Sequence, residues 1–164
     1  MSMPVVRKIL VAVEVSKSDA RAAVELAMTL ARATSAAVTL LHAFAPPSPM
    51  SGIVPGAGRG SDLESEQRSF NASLEVIAGS MRAQGIARVS TIAEPGHPTE
   101  VILECARREA SDLIVLGTHG RKGVSRLLMG SIAESVLRDA PCPVVIVHVP
   151  SPSHRPAVPN LRAV

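Results

Sequence analysis

The chain has 164 residues, 46% hydrophobic and 19% charged, a composition that suits one globular domain with a real core and excludes a disordered or coiled-coil protein. With no Trp, no Tyr and only Phe44 and Phe70 it lacks the platforms on which nucleic-acid bases stack, so no nucleic-acid partner is expected. The net charge of +3 suits anionic ligands without forming a basic tract, and no apolar stretch approaches the roughly 18 residues of a membrane span, so a cytoplasmic protein without membrane insertion is expected.

Residues 5–15, VVRKILVAVEV, form a β-branched run that reads as a first strand, stopping at Ser16 and Ser18, either of which can cap a helix. Apolar residues at Ala20, Ala23, Val24, Ala27, Leu30 and Ala31 then follow the three-and-four spacing of a helix with one buried stripe. A second strand is expected over AAVTLLHAF, 36–44. The Pro-, Gly- and Ser-rich segment 45–61 holds no regular pattern and is long for a loop, and a flexible lid is expected there. Helix two is expected after Ser61 and Asp62, carrying Leu63, Phe70, Leu74, Ile77 and Met81 inward and ending near Gly85.

IARVSTIAE, 86–94, reads as strand three. Pro98 after His97 opens a third helix with Val101, Ile102, Cys105 and Ala106 inside. DLIVLG, 112–117, is apolar on both faces, as a central parallel strand should be. A fourth helix is expected from about Gly130–Ser131, burying Ile132, Ala133, Val136 and Leu137 and stopping before Pro141. PVVIVHV, 143–149, is the fifth strand, and the proline-rich tail 150–164 lies outside the domain 1–149. Five strands alternating with four helices give an α/β fold, a three-layer parallel sheet covered by helices on both faces.

In such sheets ligands bind beyond the carboxyl ends of the strands, where strand order reverses. The segment GTHGRKGVSRLLMGS, 117–131, leaves that end of strand four. Gly117 and Gly120 permit positive φ and close approach of a ligand to the backbone. Gly130 and Ser131 open a helix whose first amides lack partners and whose dipole favours an anion, an arrangement that fits a phosphate. The Ser131 hydroxyl is available either to cap the helix or to donate to a phosphate oxygen, and Arg121, Lys122 and Arg126 bring positive charge between the glycines.

No GxxxxGK[ST] or GxSxG occurs, so neither a Walker loop nor a nucleophile elbow is offered. His42, His97 and His148 have no HxH or HExxH partner and are assigned core or surface duty. Cys105 and Cys142 lack CxxC spacing and are assigned as buried small hydrophobes. Arg21, Arg32, Arg82, Arg107 and Arg108 fall on outward helix faces as solubilising charges. No catalytic residue and no metal ligand is assigned.

The spacing G117-x-x-G120, nine residues, G130-S131 resembles the nucleotide-binding signature of the universal stress protein family. The likeness extends to KILVAVEVS at the start, VTLLHAF in strand two, EPGHPTEVILECARREASDLIVLGTHGRKG in the second half and CPVVIVHV at the end. This resemblance implies a Rossmann-like sheet of order 3-2-1-4-5, of the adenine nucleotide alpha hydrolase-like kind, and the binding of ATP. It implies Gly117, His119, Gly120, Gly130, Ser131 and Ile132 at ribose and phosphates, with Arg121 beside them. It also places Ala12, Val13 and Glu14 near the adenosine and Ala43 against the adenine. Glu14-Val15 stands where the family usually has Asp-Gly or Asp-Phe, which moves the carboxylate outward by one methylene.

The function implied is that of a small stress-response regulator acting through nucleotide-dependent conformation or association, with an unspecified client protein. Two rivals stand beside it. One is a slow ATPase or self-phosphorylating enzyme with Ser131 or a loop residue as acceptor and Mg²⁺ as helper. The other is an interaction protein that binds no nucleotide. The apolar last strand exposes an edge that soluble proteins cover, and the resemblance implies a homodimer through it, using Val144, Val145, Ile146, Val147, His148 and Val149.

Overall fold

The computed structural model describes residues 5–15, 20–46, 59–119 and 130–149. Its elements are β1 (Lys8–Ala12), α1 (Ala20–Thr34), β2 (Ala37–Phe44), α2 (Arg59–Ala83), β3 (Val89–Pro95), α3 (Pro98–Arg108), β4 (Leu113–His119), α4 (Ser131–Asp139) and β5 (Val144–Val149). All strands are parallel and lie in the order β3-β2-β1-β4-β5. The expected α/β architecture and strand order are both found.

Side chains of successive strand residues point to opposite faces, so each central strand feeds two cores. Ile9, Val11, Leu40 and Val115 pack beneath α1 and α2 with Leu74 and Met81. Leu10, Leu41 and Ile114 pack beneath α3 and α4 with Ile102, Cys105 and Val136. Each fully buried aliphatic side chain contributes about 1.5–3 kcal/mol relative to exposure. Because both faces are covered, β1 and β4 read as continuous apolar runs. Burial also pushes the Cys105 thiol up to about 11, so it stays protonated as a core group.

Several boundaries differ from the expectations. The segment expected as a loop over 45–61 is shortened at its end, because α2 already starts at Arg59; residues 47–58 lie outside the described residues. β3 begins at Val89, three residues later than expected. β4 does not stop at Gly117 but runs to His119, because β5 continues the ladder with Gly117 opposite Val147 and His119 opposite Val149. On α4 only Ala133 and Val136 are buried. Ile132 and Leu137, both expected inside, are 39% and 48% exposed, since they lie on the two flanks of the Ala133–Val136 stripe and nothing among the described residues covers those flanks.

Three helices end alike. Ser35, Gly85 and Ala110 have φ of 56°, 94° and 49°. The following amides, of Ala36, Ile86 and Ser111, donate back to the carbonyls of Ala31, Met81 and Ala106. This is the Schellman closure, which satisfies carbonyls that the helix itself leaves open.

The β3 edge is covered by α2 side chains. Gln67 Nε2 donates to the Ala93 carbonyl at 2.7 Å, and Asn71 Oδ1 accepts from the Ala93 amide at 3.1 Å. Arg82 donates to the Val89 carbonyl at 2.7 Å and pairs with Glu75, which also accepts from Thr91. Arg82 and Thr91 together hold the Glu75 carboxyl below its ordinary range. Arg108 likewise grips Glu94 through two hydrogen bonds. These arginines are outward, as expected, but they tie elements together as well as solubilising.

Candidate functional site

Strand order reverses between β1 and β4. From β1 the chain crosses through α1 to β2 on one side, and from β3 it crosses through α3 to β4 on the other. The carboxyl ends of β1 and β4 therefore diverge into different connections and leave a crevice, the usual place for a ligand in an open α/β sheet. Ala12, the last residue of β1, is half-buried and stands opposite Leu41 and Leu116. Gly117, exposed and next to Leu116, faces the same crevice end.

The expected site residues divide into three groups. Val13 is buried in the core beneath α1 and α2, and its N–H and C=O are already engaged by the Leu41 carbonyl and His42 Nδ1, so it offers a ligand the surface of its main chain. Glu14 is exposed just beyond it, and Ala43 is half-buried near the end of β2, opposite Glu94. At the start of α4, Gly130, Ser131 and Ile132 are all exposed. His119 closes β4, while Gly120, Arg121 and the rest of 121–129 lie outside the described residues.

The start of α4 refines the role of Ser131. The N-cap is Gly130, at φ −60° and ψ 145°, and among the described residues no side chain caps the helix. Ser131 is already the first helical residue, so its hydroxyl does not serve as the cap. The first helical hydrogen bond runs from the Glu134 amide to the Gly130 carbonyl at 3.0 Å. The amides of Ser131, Ile132 and Ala133 therefore precede the helical ladder and form the positive end of the dipole. A Cβ built on Gly130 meets no atom of the described residues within 4 Å. Neither its backbone angles nor its neighbours require glycine there, and the open flank is of the kind a ligand can occupy.

His42, assigned by its sequence surroundings to core or surface duty, lies in the core at 6% exposure. Its ring sits 4.4 Å from that of Phe70, which is 4.9 Å from Phe44. Nδ1 lies 3.0 Å from the Val13 carbonyl, and since a carbonyl only accepts, Nδ1 carries the proton. No local sequence signal marks this place, because Phe70 and Val13 are distant in the chain and meet His42 only in the fold. A cavity of about 360 Å³ lies elsewhere, between α1 and α2, lined by Val24, Met28, Val76 and Met81 among others. Among the described residues no group of three or more His, Cys, Asp or Glu side chains is placed to hold a metal ion. No helix among them is long and apolar enough to cross a membrane.

The model of the universal stress protein family matches residues 6–148. The chain is 34% identical over 128 residues to the universal stress protein in the QAH/OAS sulfhydrylase 3′ region of Thermus aquaticus, covering 78% of this chain and 89% of that one. Among solved structures it is similar to the universal stress protein UspA from Lactobacillus plantarum, with a TM-score of 0.71, 25% identity, and coverage of 86% and 97% of the two chains. The same fold is found in a universal stress protein in complex with cAMP, at TM-score 0.66 and 22% identity over 88% and 98% of the chains. It is also found in one from Archaeoglobus fulgidus in complex with dAMP, at 0.59 and 19% over 87% and 98%.

Proposed function

The chain belongs to the universal stress protein family, and from that premise we propose that it binds ATP across the carboxyl ends of β1 and β4 and works as a nucleotide-dependent regulator in the stress response. The observation that carries this reading is the start of α4. Three amides precede the helical ladder, and Gly130 leaves one flank open without any conformational need for glycine. A phosphate group fits both features. Ser131, at the first helical position rather than the cap, keeps its hydroxyl for the same anion. The complexes of two relatives of this fold with cAMP and dAMP support an adenine nucleotide as the ligand class.

In this reading Gly117, His119, Gly120, Arg121, Gly130, Ser131 and Ile132 hold ribose and phosphates, with Mg²⁺ carried on the phosphates. The main chain at Ala12, Val13 and Ala43 meets the adenosine, with Glu14 beside it. Calorimetric titration with ATP tests the proposal. Wild type binds, and Gly130→Ala weakens binding about tenfold, as loss of one or two well-formed hydrogen bonds does, at a folding cost of at most about 1 kcal/mol for the altered cap. No binding by the wild type at millimolar ATP, or an equal affinity for the variant, overturns it.

A further inference from the structure

In the parallel ladder between β1 and β2, residues 37, 39, 41 and 43 of β2 turn their amides and carbonyls toward β1. Ala37 N–H donates to the Arg7 carbonyl at 2.8 Å, and Val13 N–H donates to the Leu41 carbonyl at 2.9 Å. The next rung of this pattern is Ala43 N–H to the Val13 carbonyl. Among the described residues that rung is not made. His42 Nδ1 holds the Val13 carbonyl instead, at 3.0 Å, from the α1 and α2 face of the sheet. The imidazole is fixed by its burial and by Phe70 and Phe44.

We infer that His42 is a positioning residue for the proposed nucleotide: by drawing the Val13 carbonyl toward the α1 and α2 face, out of line with the Ala43 N–H, it holds the last β1–β2 rung open and leaves the Ala43 main-chain N–H and C=O for the base. A donor and an acceptor side by side on one strand edge match the ring nitrogen and amino group of a purine. The physical driving force is the same that closes any ladder, since an amide left without a partner in a half-buried position costs about 1–3 kcal/mol until something pairs with it. The base completes that pairing. This inference rests on the nucleotide reading above, but its first test does not need a nucleotide.

Amide exchange at Ala43, measured without ligand, compares wild type, His42→Leu and His42→Asn. In His42→Leu the Val13 carbonyl is released, the rung closes, and the Ala43 amide exchanges more slowly than in wild type, whereas simple destabilisation speeds exchange. His42→Asn keeps a donor where Nδ1 stands and restores fast exchange. If His42→Leu does not fold, His42→Gln, whose amide sits where Nε2 does, takes its place. Titrations follow with ATP and with tripolyphosphate, which lacks a base. The leucine variant loses about tenfold in ATP affinity with tripolyphosphate unchanged, and the asparagine variant recovers ATP. Unchanged or faster Ala43 exchange in His42→Leu, or a parallel loss of both ligands, overturns the inference. A wild type that binds neither ligand overturns the nucleotide reading, and the exchange comparison still decides whether His42 holds the rung.

Discussion

At the scale of single residues, two glycines near the strand ends have opposite reasons to be glycine. Gly96 leaves β3 at φ 146°, donates to the Phe44 carbonyl at 2.9 Å, and would place a Cβ 2.8 Å from Val101 Cγ2. Its backbone region is one that side chains rarely enter, and its neighbour is a buried β-branched residue of α3. Gly96→Ala is expected to lower unfolding free energy by about 3 kcal/mol, from strain and overpacking together, as read from urea denaturation; a loss under half that would show that the turn relaxes freely. Gly130 carries no such constraint. The sequence alone does not tell these two glycines apart, because conformation and clearance belong to the folded surroundings. The same holds for His42, whose partner Val13 is 29 residues away on another strand. The residues between the signature glycines, 121–129, lie outside the described residues, so the charge expected from Arg121, Lys122 and Arg126 stays within the proposal.

At the scale of elements, periodicity identified every helix and strand, and the misjudged parts lie where a neighbour decides. β4 outruns Gly117 because β5 offers continued ladder bonds, a fact of pairing that no local pattern holds. α4 displays Ile132 and Leu137 because nothing among the described residues covers that side, while its spacing alone resembles that of a helix with a broad buried face. The helix ends yield a prediction of their own. Gly85 takes the left-handed closing position of α2 without cost, but Ser35 and Ala110 take the matching positions of α1 and α3 with a Cβ present. Ala110→Gly should raise stability by about 1 kcal/mol, the relief of a left-handed residue set against the extra freedom of glycine in the unfolded chain. Thermal and urea unfolding measure it, and a destabilised Ala110→Gly would show that the alanine methyl contributes more than its conformation costs.

At the scale of the whole molecule, the family resemblance and the comparisons agree on one Rossmann-like sheet, and the structure gives its two edges different character. β5 is half-buried from Val144 to Val147, and the helix before it leaves Ile132 and Leu137 exposed, apolar surface of the kind that the homodimer proposed through that strand would cover. The β4–β5 register turns the His148 amide away from β4. His148→Pro removes an outward donor without touching the inner ladder, and proline is tolerated at such an edge position. Light scattering should give twice the 17.1 kDa chain mass for wild type at micromolar concentration and a shift toward one chain for His148→Pro; a wild-type mass of one chain would refute the dimer.

The other border of the sheet bears on how far such association can go. Gln67 and Asn71 already occupy the outward C=O and N–H of Ala93, and Arg82 the C=O of Val89, so an incoming strand there would have to evict bonds that the molecule makes with itself. A sheet with two receptive margins can add subunits without limit and grow into a fibre. With the β3 margin occupied in part by α2 side chains, the proposed pairing through β5 uses the margin left open among the described residues, and growth is expected to stop at two chains.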